Sequence, residues 1–254
     1  MYWTRLTTTD FDSIDRNTPV LMNVASIEQH GPGLPVVTDS AIGWHFCQSI
    51  EAMLGDGVLV APQVRVCCSE HHMRFAGTLT VTHQTFLNYL IDLLTSVYRH
   101  GFKNIFILNS HGGNIAVGNT AKEHLGNAFD DLNIAFANWW QIAVGETKKI
   151  SNTGFQGTAH AGEFETSLML FIKEALVKKD FDFSSARVKD TPEWAAFDIF
   201  KGPEIALHRR FDELTENGIY GRPEAGTAEK GKKISEIISQ RLAEIIREFG
   251  ELQR

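Results

Sequence analysis

The sequence predicts a single α/β domain with a mostly parallel central sheet flanked by helices, and three observations predict it. Four short apolar runs rich in branched and aromatic residues recur along the chain. Stretches of helical period lie between and after them. The 254 residues are also enough to bury about three-quarters of the unfolded chain's surface, so one large core needs neither disulfide nor structural metal.

The runs are Val20–Val24, Val58–Ala61, Asn104–Leu108 and Asn133–Ala137, each read as a buried strand. Between the second and third, Phe86, Leu87, Leu90, Leu93, Leu94, Val97 and Tyr98 recur at steps of three and four. Gly101 follows where a helix end favours glycine. Near the C-terminus Ile234, Ile237, Ile238, Leu242, Ile245, Ile246 and Phe249 predict a second amphipathic helix, packed on the sheet or on another subunit. From Phe181 to Ala225, Pro192, Pro203 and Pro223 among isolated aromatics predict loops and short elements. No internal repeat or linker divides the chain, so residues 1–254 are read as one domain.

A net charge of −7 disfavours nucleic acid as a partner. Cys47, Cys67 and Cys68 are not spaced as a disulfide framework or a thiolate zinc site. With no long apolar run and no leader-like start, a cytoplasmic protein without a membrane partner is expected.

Position concentrates the chemistry. Glu28 and His30 follow the first strand, and His111 follows the third in Asn109-Ser110-His111-Gly112-Gly113-Asn114. The carboxyl ends of strands in an open α/β sheet form the ligand crevice, so both segments reach one edge. In extended backbone the i, i+2 spacing of Glu28 and His30 points both side chains to the same side, about 7 Å apart. Asp39, at the end of the turn-rich loop that follows, is open to two readings, a helix N-cap or a site carboxylate. In His160-Ala161-Gly162-Glu163-Phe164-Glu165, the carboxylates suit a first helical turn, where the helix dipole favours them. His160 follows a Gly/Thr-rich loop and is placed as a catalyst rather than as core. His-Gly-Gly could serve a serine hydrolase as an oxyanion loop, but the chain has no G-x-S-x-G nucleophile elbow.

Three segments together resemble the creatininase (creatinine amidohydrolase) family: Ser26-Ile27-Glu28-Gln29-His30-Gly31-Pro32 through Asp39, Asn109 through Asn114, and His160 through Ser167. Gly77-Thr78 and Gly221-Arg222-Pro223 look like further blocks, and the likeness spans residues 20 to 232 in the family's order. The resemblance implies a homohexamer with two divalent cations (zinc, manganese or iron). It also implies hydrolysis of a C–N bond in a small amide or cyclic amide by an activated water. Carried onto this chain, Glu28, Asp39 and His111 hold one cation, while His30 and the bridging Asp39 hold the other.

The family's remaining carboxylate falls two residues after His111, where this chain has Gly113; Glu163 is the expected replacement, with Glu165 a hydrogen-bonding supporter. Glu163 and His160 are the expected catalytic residues, His160 stabilising the oxyanion or protonating the leaving nitrogen. Gly112, Gln156 and Trp140 are expected to line the substrate pocket. Gln156 stands where creatininase has a tryptophan and Gly33 where the family commonly has a histidine, so the reaction class carries over rather than creatinine itself. Hydrolysis of a formamide or a sugar-like ketone, or a non-catalytic metal- or small-molecule-binding module, are the alternatives. The nitrogen and oxygen ligand set suits all three metals.

Overall fold

The structure is a computed structural model that describes residues 1–178, 180–181 and 189–252. Its sheet has four parallel strands, β1 (Val20–Val24), β2 (Leu59–Val60), β3 (Asn104–Asn109) and β4 (Asn133–Asn138), in the order β2-β1-β3-β4. The helices among the described residues include α1 (Thr8–Asp12), α2 (Thr38–Leu54), α3 (His83–Arg99), α4 (Ile115–Ala128), α5 (Val144–Thr147), α6 (Glu163–Ile172), α7 (Phe211–Leu214) and α8 (Ala228–Gly250). None is long and apolar enough to cross a membrane.

Alternation along the strands divides the interior into two layers. Val20, Met22, Ile105 and Ile107 face one core with α3 and α4, while Leu21, Phe106 and Leu108 face the other with α2, α6 and α8. Strands buried on both faces read as continuous apolar runs, which is why they stood out in the sequence. The second run is shorter than expected: Val58 and Ala61 are buried but lie outside the ladder of an edge strand that Pro62 closes.

Helix α3 starts at the Thr82 cap, whose hydroxyl accepts from the Thr85 amide, and stops before Gly101, which adopts φ 92°. The apolar stripe of α8 is buried within its own subunit, mainly against α6. At that crossing a Cβ on Gly231 would lie 1.9 Å from the Ser167 carbonyl oxygen, so only glycine fits. The region from Phe181 to Ala225 does hold short elements where described, among them α7 and single turns at Glu193–Ala195 and Pro223–Ala225. Residues 182–188 of that region lie outside the described residues.

Candidate metal centre and cavity

The strand order reverses between β1 and β3, and the site sits at their carboxyl ends, where Val24 pairs with Asn109. Glu28 and His30 arrive after β1 and His111 after β3. The loop after β2 adds His72, the first turn of α2 adds Asp39, and α6 with its preceding loop adds Glu165 and His160.

Asp39 lies at the centre. Its Oδ1 is 3.1 Å from His30 Nε2, and its Oδ2 is 3.1 Å from His111 Nδ1 and accepts a hydrogen bond from Ser26 Oγ at 2.6 Å. Glu28 Oε2 is also 3.1 Å from His111 Nδ1, while Oε1 faces His72 Nε2 at 3.4 Å and His160 Nδ1 at 3.7 Å. Glu165 Oε2 is 3.7 Å from His30 Nε2 and accepts from the Ala161 amide at 2.6 Å. Ligand atoms group in three sets, each within 4.8 Å: Glu28-Asp39-His111, His30-His160-Glu165 and Glu28-His72-His160.

Three buried carboxylates thus meet, and among the described residues no lysine or arginine forms an ion pair with them. Burial alone would lower the pKa of His30, but Asp39, Glu165 and Glu28 outweigh it and raise it to about 10. The same contest, with Glu28 and Asp39 as the neighbours, raises His111 well above its ordinary value. Burial pushes Glu165 up to about 7 against the pull of His30, whereas the histidines hold Asp39 well below the usual carboxylate range despite its burial. Burial and neighbouring histidines push His72 and His160 well down, so both rings are neutral at pH 7.

The cluster could hold cations. Glu28 Oε2 and His30 Nε2 are buried without a hydrogen-bond partner, and both point into the cluster. The surrounding backbone prepares the rings as ligands. His30 Nδ1 lies 3.1 Å from the Glu28 carbonyl and His111 Nε2 lies 2.8 Å from the Cys68 carbonyl, so in each neutral ring the opposite nitrogen presents its lone pair to the cluster. The donor set therefore fits divalent metal.

The expectation that Glu163 stands beside His30 is corrected. Residues 163 and 165 are about 200° apart around a helix, so with Glu165 facing the cluster Glu163 must face away. Its fully buried carboxylate accepts from Ser151 Oγ (2.7 Å), the Asn152 amide (3.0 Å), Thr153 Oγ1 (2.6 Å) and Lys230 Nζ (2.6 Å). It therefore braces the 151–157 loop against α8 and faces away from the cluster around His30. The N-cap of α2 is Val37, which leaves Asp39 as a site carboxylate. Gln156 is also displaced from its expected place: its amide donates to the Tyr220 hydroxyl at 2.7 Å and it does not line the cavity, although Gly112 and Trp140 do.

Sequence reasoning missed His72, whose ring stacks on Phe211 with centroids 3.9 Å apart. The signal was Glu70-His71-His72 beyond a third strand end, hidden by the nine residues that separate it from β2. The cluster forms the floor of a cavity of about 960 Å³ whose walls include Trp140, Phe197, Phe200, Leu207 and Phe211.

The family model for creatininase, described as creatinine amidohydrolase, matches residues 4–246. The chain belongs to the creatininase family. It is 26% identical over 226 residues to the mycofactocin precursor peptide peptidase of Mycobacterium tuberculosis, covering 85% of this chain and 79% of that protein. It is 23% identical over 245 residues to the creatinine amidohydrolase of Pseudomonas putida, covering 90% and 88%. A solved manganese form of creatininase superposes with a TM-score of 0.78 at 24% identity, covering 99% of each chain. Both named relatives are hydrolases, and the creatininase fold extends over essentially the whole chain.

Proposed function

We propose that this creatininase-family protein hydrolyses the C–N bond of an amide at a two-cation centre. The observation that carries the proposal is Asp39, whose two oxygens face different histidines, His30 and His111, at 3.1 Å each. Glu28, Asp39 and His111 would hold one cation, and His30, with Asp39 at 3.1 Å and Glu165 at 3.7 Å from its Nε2, would hold the other with those two carboxylates, zinc, manganese or iron being suited to the donors. Such cations, when bound, supply Lewis acidity that lowers the pKa of a water toward about 7 and polarises a substrate carbonyl.

The protein's own groups do the rest. Neutral His160, with Nδ1 turned toward Glu28 and Nε2 2.9 Å from the Gln29 carbonyl, can accept a proton at Nδ1 and return it to the departing nitrogen. Phe211, edge-on to His160 with ring centroids 4.6 Å apart, limits how far that ring can swing. The volume of about 960 Å³ and the aromatic wall favour an amide joined to a larger, partly apolar group over a single small ring. The peptide substrate named for the mycobacterial relative agrees with this.

The test is a turnover screen of metal-loaded and chelator-treated protein against peptide amides, lactams, formamides and inosose-type ketones. Chelator-sensitive release of an amine is expected. Turnover that chelation leaves intact, or turnover of ketones only, rejects the proposal.

A further inference from the structure

The cluster holds four histidines, and one is wired differently from the others. His30, His111 and His160 each have one ring nitrogen against a backbone carbonyl, those of Glu28 (3.1 Å), Cys68 (2.8 Å) and Gln29 (2.9 Å). A carbonyl only accepts, so each of these nitrogens carries a proton; the opposite nitrogen of neutral His160 faces the cluster with its lone pair, and those of His30 and His111 do so once they give up the proton that Asp39 and Glu28 hold there. His72 has no carbonyl partner of this kind. Its Nδ1 lies 2.8 Å from the side-chain amide of Gln29.

Which end of that amide faces His72 follows from the backbone. Gln29 Oε1 lies 2.9 Å from the amide nitrogen of Gly31, which can only donate. The other end is therefore the NH2 group, and its two hydrogens have two acceptors, His72 Nδ1 at 2.8 Å and the Gly218 carbonyl at 3.2 Å. His160 Nε2, 3.2 Å from the same NH2 group, spends its own proton on the Gln29 carbonyl. A ring nitrogen that accepts from an amide carries no proton, so the proton of neutral His72 sits on Nε2, 3.4 Å from Glu28 Oε1.

We propose that Gln29 is a positioning residue that sets the proton positions of His72 and His160, making His72 a hydrogen-bond donor to Glu28 and not a metal ligand. The consequence for metal binding rests on the two-cation reading above. Of the three ligand sets, Glu28-His72-His160 then carries an N–H directed at its own carboxylate and is closed to a cation. Glu28 is left with Oε1 tethered by His72 and Oε2 free beside His111. Gln29 is buried and fixed in this role: its backbone N–H donates to Thr78 Oγ1 at 3.1 Å, and a Cβ on Gly218 would lie 1.8 Å from its Oε1.

Two-bond proton–nitrogen correlation spectra of protein labelled with ¹⁵N-histidine, recorded metal-free and zinc-loaded, read each tautomer directly. Both His72 and His160 should carry their proton on Nε2 in both forms. Gln29→Glu replaces the donor by an acceptor of the same shape, so His72 should gain a proton at Nδ1. Turnover should then fall roughly 10- to 100-fold through kcat with little change in KM, because Gln29 touches the positioned groups and not the substrate. A proton on Nδ1 of His72 in the unaltered protein overturns the proposal, as does a Gln29→Glu variant that leaves Nδ1 bare. Should that variant not fold, the spectrum of the unaltered protein decides alone. Protein that binds no zinc would reject the two-cation reading instead, and the metal-free spectrum still tests the proton positions.

Discussion

Glu163 and Glu165 stand two residues apart on α6, and exchanging each for glutamine should produce opposite phenotypes. Glu163→Gln takes the charge from a fully buried carboxylate that accepts four hydrogen bonds, one from Lys230 Nζ at 2.6 Å. Breaking a buried ion pair by removing one partner costs about 3–5 kcal/mol. Lys230 keeps 14% side-chain exposure and a bond to the Ala225 carbonyl, which places the cost near the lower end, about 3 kcal/mol. In a domain of this size that lowers Tm by about 6–12 °C. Glu165→Gln should leave the metal-free stability within about 1 kcal/mol of the parent, because its carboxyl, raised to about 7, is already about half protonated at neutral pH and an amide oxygen can still accept from Ala161. Its cost falls on zinc affinity at the His30 position, which should drop by more than the roughly 10- to 100-fold typical of groups that only support a ligand. Thermal unfolding of chelator-treated variants and zinc titration of the same samples measure both effects. A Glu163→Gln protein of unchanged Tm that loses zinc, beside a Glu165→Gln protein that keeps it, would refute the reasoning.

Metal affinity should strengthen with pH. The His30 ring, raised to about 10, stabilises the metal-free fold fully below its ordinary 6.5 and loses that contribution as pH rises toward 10, and a cation must displace the same proton. Zinc titrations between these limits, with the Tm gain on zinc addition growing as pH rises, would check this; a flat profile would contradict it. Gly113→Asp should not recreate the family's missing ligand. A Cβ there would lie 2.2 Å from the Cys68 carbonyl oxygen, 2.4 Å from His111 Nε2 and 2.8 Å from His71 Cε1, so the variant should lose about 1–3 kcal/mol in denaturant unfolding and gain no zinc affinity. The homohexamer that the family resemblance implies predicts a light-scattering mass several times 28.4 kDa at micromolar concentration, and a monomer would exclude it.

The strands and long helices were legible in the sequence because burial leaves periods that residue types report directly. Apart from Asn23 and the terminal Asn104 and Asn109, Val20–Val24 and Asn104–Asn109 are apolar runs buried on both faces, and α3 and α8 carry one apolar stripe each. The strand-end rule likewise brought Glu28, His30 and His111 together before any coordinates did. What failed to show was rotation and loop path. Glu163 and Glu165 are equivalent as letters, and only the phase of α6 against α8, set by the Gly231–Ser167 contact, decides which one faces the cluster. His72 is carried back to the cluster by a loop anchored through the bond of Thr78 to Gln29, a long-range contact with no local period. The Gln156 expectation failed for a related reason: at φ 70° its side chain turns to Tyr220 and away from the cavity.

The most direct test of the central claim is elemental analysis of the unaltered protein beside Asp39→Ala, each saturated with zinc and freed of excess. Because Asp39 faces both His30 and His111, the account predicts about two equivalents per chain in the parent and close to none in the folded variant. A folded Asp39→Ala protein that keeps both equivalents, or a parent that never holds more than one, would contradict it.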